Sequence, residues 1–184
     1  MAKIDQLMTK LLTDVKVELA DEFDRNFQRK AFFATPWKQR RNTDAKGSLL
    51  MIGGHLRRSL RATVRGHNIV FSSSLPYAAI HNEGGTLTVT AKMKKFFWYK
   101  YSQAAGSVKT LKSGKRSTSQ RNRRLGREAE MWKAMALMKV GSKINIPERR
   151  FIGNAPEVKQ AVTRVTDKWV KEDLNNSIRK QFNK

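Results

Sequence analysis

The sequence predicts an α+β fold in which a small antiparallel sheet of about four strands is framed by long N- and C-terminal helices and interrupted by a basic helical insertion. Apolar residues at three-four spacing occupy both ends of the chain, and period-two stretches lie between them. A cation-rich segment without acids separates two of those stretches. At 184 residues the chain suits a single domain, 1–184, with 91–142 as the insertion.

From Ile4 to Arg29, the positions Ile4, Leu7, Met8, Leu11, Leu12, Val15, Leu19, Phe23 and Phe27 define one amphipathic helix whose stripe is core or subunit interface. Ala31 to Lys46, with Phe32, Phe33, Pro36 and Trp37 followed by Lys38, Arg40 and Arg41, has no usable period and reads as a surface loop with an aromatic anchor. Gly53-Gly54 make a turn into a short helical piece that ends near Leu60. Arg61 to Arg65 and Ile69 to Ser73 alternate around Gly66-His67-Asn68, which is a hairpin pattern. Its buried face comprises Ala62, Val64, Ile69 and Phe71.

Pro76 opens a short helix that Gly84-Gly85 close, and Thr86 to Thr90 return to alternation. Lys92 to Ala105 reads as a helix ended by Gly106, with Met93, Phe96, Phe97 and Tyr101 on one broad face. Ser107 to Leu125 holds almost no apolar residue and cannot repay its own ordering entropy, so a mobile loop is expected near 107–127 until a partner orders it. Helical spacing resumes from Glu128 to Met138. Lys143 to Ile146 is a strand stopped by Pro147, expected to pair with the earlier strand across the insertion. Asn154 is a plausible cap for the last helix, whose stripe is Val158, Val162, Val165, Trp169, Leu174, Ile178 and Phe182.

The formal charge is +23, and it is unevenly placed. No acid lies between Glu83 and Glu128, whereas Lys92, Lys94, Lys95, Lys100, Lys109, Lys112, Lys115, Arg116, Arg121, Arg123, Arg124 and Arg127 do. Such a segment faces a polyanion or extends into solvent. The first helix, by contrast, carries Asp5, Asp14, Glu18, Asp21, Glu22 and Asp24. With no cysteine there is no disulfide, zinc-thiolate site or thiol nucleophile. The N-terminus is a poor secretory signal, and the apolar runs fall far short of a membrane span.

Catalytic patterns are weak. His55, His67 and His81 lie in separate elements without metal-ligand spacing. Ser113-Gly114-Lys115-Arg116-Ser117 fails as a phosphate loop, because the earlier glycine it requires is Lys109 and the residue after the lysine is Arg116. His81, Glu83 and Tyr77 lack a nucleophile or oxyanion site beside them. The expectation is no enzyme, no cofactor and no metal.

Three patterns occur in order: Gly54, Leu56, Arg57 and Ser59 ahead of the hairpin; Tyr77, Ala78, His81 and Gly84 in the short helix; and Ile146, Pro147, Arg149, Phe151 and Gly153 leading into the last helix. In this the chain resembles the phage virion morphogenesis family, over roughly 49–90 and 143–184. Ile52 departs from the family's usual threonine or acid, and Arg150 from its usual proline, which leaves the local backbone less rigid.

The resemblance implies a structural protein that completes the tail or joins it to the head. It would be located in the virion, assembled in the host cytoplasm, and act with no membrane partner. It further implies a closed ring next to neck, connector or tail-tube proteins, with genome DNA through its centre; the copy number is not readable from the sequence, and a hexamer matching the tail tube is our guess. Tyr77, His81 and Phe151 are then fold-defining, with Phe151 a plug between the last strand and the final helix. Lys109, Lys112, Lys115, Arg116, Arg121, Arg123, Arg124 and Arg127 become candidate contacts with DNA or an acidic partner. The competing expectation, from charge alone, is a non-specific nucleic-acid-binding protein. Phe96, Phe97, Trp98 and Tyr99 would be its base-stacking platform, although helical core packing accounts for them more simply.

Overall fold

The computed structural model describes residues 2–40 and 47–182. Arg41 to Lys46, the remainder of the expected surface loop, lie outside the described residues, as do the side chains of Ile4, Leu174, Ile178 and Phe182. The fold is mixed helix and strand, with long terminal helices, as expected. It divides into two compact units.

The first unit comprises 1–38, 48–83 and 148–184. Helix α1, Ala2–Arg29, buries Val15, Leu19, Phe23 and Phe27, each four residues after the last, so one stripe runs down its inner face. Helix α6, Pro156–Phe182, lays Val158, Ala161, Val162 and Val165 against that stripe. Its boundary residue is Ala155 rather than Asn154. The Ala155 carbonyl accepts from Val158 N at 3.1 Å, and Pro156 takes the first helical position, where a missing N–H costs nothing.

After α1 the chain turns through β1, Ala31–Phe32, and β2, Thr35–Pro36, a two-residue pairing that delivers Trp37 to the core. A 3-10 turn, Ile52–Gly54, leads into α2, His55–Ser59. Gly54 sits there at φ 65°, which a side chain would resist. Strands β3, Leu60–Arg65, and β4, Asn68–Ser73, then form the expected hairpin, with Gly66 at φ 57° in its two-residue turn. Ala62 opposes Phe71 and Val64 opposes Ile69, so the predicted inward face is one set of cross-strand pairs. Phe71 meets Phe23 edge to face at 4.9 Å. Helix α3, Ala78–Glu83, completes the unit.

The second unit comprises 39–47 and 84–147. Strands β5, Gly85–Thr88, and β6, Lys143–Ile146, pair antiparallel from Gly85↔Ile146 to Thr88↔Lys143, as the strands flanking the insertion were expected to do. Val89 N to Ser142 O at 2.8 Å and Gly141 N to Val89 O at 2.9 Å extend this stem. Above it stand α4, Ala91–Gly106, and α5, Gln120–Leu137, packed through Phe97, Ala104, Ala129 and Ala136.

Two expectations are corrected. The strands do not make one four-stranded sheet; among the described residues there are three two-stranded sheets. β5 and β6 close the helical insertion on itself, so their bonds are satisfied as its stem and not as an extension of the hairpin. The second helix of the insertion begins at Gln120, ahead of Glu128. Ser119 Oγ accepts from Asn122 N at 3.3 Å as its N-cap, which starts a helix where apolar spacing gives no sign of one.

Candidate functional site

Within the first unit, the motif residues converge on the segment just before α6. The His81 carbonyl accepts from Arg149 N at 2.9 Å, and the buried Arg149 donates Nε–H to the Lys38 carbonyl at 2.9 Å. Asn82 Oδ1 accepts from both Phe151 N at 2.9 Å and Ile152 N at 3.1 Å. Fully buried Asn26 donates Nδ2–H to the Phe151 carbonyl at 3.2 Å and accepts from Phe33 N at 3.0 Å. Trp37 Nε1 donates to the Arg150 carbonyl at 2.5 Å. The backbone from 149 to 152 is thus held by side chains from three separate parts of the sequence.

The Phe151 ring, 1% exposed, lies 5.1 Å from Phe27 in a cluster with Trp37, Leu49, Leu56 and Ala78. Its ring thus packs against α1 in the core of the first unit. Arg150, where a proline was expected, is an asset here: it pairs with Glu148 at 3.0 Å and lies over the Phe32 ring at 5.7 Å.

Arg57 makes a two-pronged ion pair with Asp24 of α1, and those hydrogen bonds raise its pKa further above the ordinary arginine value. Ser59 Oγ donates to the Leu56 carbonyl at 2.7 Å and meets Ser73 Oγ at 2.7 Å. Tyr77 stands exposed, edge to face with His81 at 5.9 Å, while Gly84 and Gly153 adopt φ 74° and 152°.

His81 Nδ1 is buried without a hydrogen-bond partner. Desolvation, then the nearby Arg149 charge, pushes the imidazole pKa below its ordinary value of 6.5. Between the lowered folded value and 6.5 the unfolded chain binds the extra proton, so acid destabilises the fold. As pH falls through 6.5 the melting temperature should drop, and His81→Leu should drop less; parallel curves for the two proteins would contradict this.

The acids of α1 are largely engaged within their own unit. Glu22 pairs with Arg25 and Arg29, Asp24 with Arg57 and Glu18 with Arg164, and Asp14 accepts from Trp169 Nε1.

The second unit is far poorer in acids. Its segment 84–147 holds fifteen lysines and arginines against two acids, Glu128 and Glu130. Lys109, Lys112, Lys115 and Arg116 surround a small bonded turn: Thr110 bridges Arg116, and Leu111 N donates to Lys115 O at 2.7 Å. Buried Asn122 fastens that turn, donating Nδ2–H to Lys109 O at 2.6 Å and Ser117 O at 3.0 Å and accepting from Lys109 N at 3.0 Å. Arg121, Arg123 and Arg127 are exposed along the first turns of α5, and Arg124 is half-buried. All eight cations expected to meet DNA or a partner therefore belong to one compact unit.

Sequence reasoning missed Asn26, Asn82 and Asn122. The available signal was a short amide side chain inside or beside an apolar stripe, a position that a buried hydrogen bond explains. It also misread the aromatic run of α4: of its four residues only Phe97 is buried, because successive helical positions turn by about 100° and cannot share one core.

Among the described residues, no three His, Cys, Asp or Glu side chains gather as metal ligands would, and no helix is long and apolar enough to cross a membrane. No curated protein and no solved structure was found to match the chain. Residues 5–171 match the phage virion morphogenesis family, nearly the whole chain. The chain belongs to that family, and its role is structural, in the assembly of the phage virion.

Proposed function

We propose that this chain is the subunit of a ring that completes the phage tail or joins it to the head. Copies meet through heterologous contacts that close on themselves, with sixfold symmetry matching the tail tube, and neck, connector or tail-tube proteins adjoin the ring. Genome DNA passes through its centre. Assembly takes place in the host cytoplasm and the product remains in the virion. The observation that carries the DNA contact is the charge of segment 84–147, in which fifteen cations stand against two acids.

Lys109, Lys112, Lys115, Arg116, Arg121, Arg123, Arg124 and Arg127 neutralise phosphates without reading sequence. Changing Lys115, Arg116, Arg123 and Arg124 to Gln should flatten the plot of log affinity against log salt by about 0.9 for each phosphate that is no longer neutralised. An unaltered slope would remove DNA as their ligand. Nuclease-treated protein in high salt, sized by light scattering and viewed by negative stain, should form particles with an open centre. Free protein that binds duplex DNA, forms no ring and is missing from purified virions would favour the nucleic-acid-binding alternative.

A further inference from the structure

The outward face of α4 combines two properties that packing does not account for. Trp98 is 41% and Tyr99 57% exposed, whereas their neighbour Phe97 is buried. Phe96, though also exposed, has its ring engaged by Trp132 edge to face at 5.9 Å and by Lys100 Nζ at 5.8 Å. Tyr99 is anchored through its hydroxyl, which accepts from Gln103 Nε2 at 2.6 Å, and Trp98 rests edge to face on Tyr101 at 5.6 Å. Both rings are thus positioned by one contact while still presenting area to solvent. Lys92 and Lys95, both exposed, stand three and four residues apart from one another and from Tyr99 along the same side of the helix.

We propose that this face binds unpaired nucleotides, with bases stacking on Trp98 and Tyr99 while Lys92 and Lys95 hold the adjoining phosphates. The pairing of cations with open aromatic faces favours this ligand over a plain polyanion. Duplex phosphates satisfy the lysines but leave the rings facing water, whereas a single strand occupies both. An acidic protein would likewise meet the charge, and its competition is part of the test. The inference stands on the second unit alone and does not depend on ring formation.

The test uses full-length, nuclease-treated protein and fluorescence anisotropy with labelled oligothymidylate of about 20 nucleotides, a duplex of the same length, and oligouridylate. Trp98→Ala with Tyr99→Ala should weaken oligothymidylate binding about tenfold or more and duplex binding less than about twofold. Trp98→Phe with Tyr99→Phe keeps the stacking surface and should restore single-strand binding. This separates stacking from any effect on folding, which the melting temperature monitors. Tighter binding of oligothymidylate assigns the site to DNA, and tighter binding of oligouridylate assigns it to RNA. Equal losses on single strand and duplex, unchanged single-strand binding in the Ala variant, or displacement of oligothymidylate by polyglutamate as readily as by unlabelled oligothymidylate would overturn the proposal. Failure of the Lys115, Arg116, Arg123 and Arg124 substitutions to alter duplex binding leaves it intact, so the two readings fail separately.

Discussion

Phe151→Ala should lower the unfolding free energy by about 3–5 kcal/mol, the range for emptying a fully buried aromatic site. The ring is 1% exposed, and its neighbours Phe27 and Trp37 are themselves buried and in contact with one another. Collapse into the vacated space is restricted on both sides. Leu56 of α2 and Ala78 of α3 belong to the same cluster, so the loss is shared by α1, both short helices and the segment before α6. Urea unfolding measures it directly. Ile52→Ala, at an exposed position, is the matched control and should stay within about 0.5 kcal/mol of the parent. Similar midpoints for the two variants would show that the Phe151 cluster does not carry the unit.

Asn26→Leu should be nearly as damaging, for an electrostatic reason. The substitution keeps the branched heavy-atom skeleton but strands the Phe151 carbonyl and the Phe33 N–H, each at a cost of about 1–3 kcal/mol when buried and unpaired. Both groups lie where water has little access, since Asn26 itself is fully buried. Because Asn26 holds the backbone of Phe151 while Phe27 holds its ring, the two substitutions share one locus. A double-mutant cycle between Asn26→Leu and Phe151→Ala should give a coupling of about 0.5–3 kcal/mol, measured as the departure from additivity in urea unfolding. Strict additivity would mean that the hydrogen bond and the ring act independently.

The parts of this fold that the sequence discloses are those fixed by local period. Val15, Leu19, Phe23 and Phe27 announce a helix and its inner face, and the alternation about Gly66 announces a hairpin and its register. Period two identifies a strand's faces but not its neighbour. The same alternation in β5 was therefore compatible with a larger sheet, although its partner is β6 alone among the described residues. The beginning of α5 was hidden for a different reason. Of the residues in its first turns only Leu125 is apolar, and the helix is fixed by a serine cap and by the Asn122 bonds to the preceding turn, which no periodicity records.

The candidate site was legible to the same extent. The cations were evident from composition, and the motif residues from their order. What they do is a matter of three-dimensional proximity: Arg149 reaches the Lys38 carbonyl and Asn82 reaches two amides near the start of α6, contacts that link residues far apart in the chain. The exposure of Trp98 and Tyr99 was likewise decided by which side of α4 met α5, a choice that four consecutive aromatics leave open.

The short β5–β6 stem makes the basic helical pair a cassette. Gly85 and Ile146 are paired neighbours, so the chain leaves and returns at points about 5 Å apart, whatever stands between them. Everything between those points could be lengthened, shortened or exchanged for a tight turn without re-threading the chain on either side. More than half of the chain's net positive charge lies within that exchangeable stretch. The charge of the helical pair and the architecture of the terminal helices are thus separable properties, the pair being joined to the rest of the chain only at the base of one two-stranded ribbon.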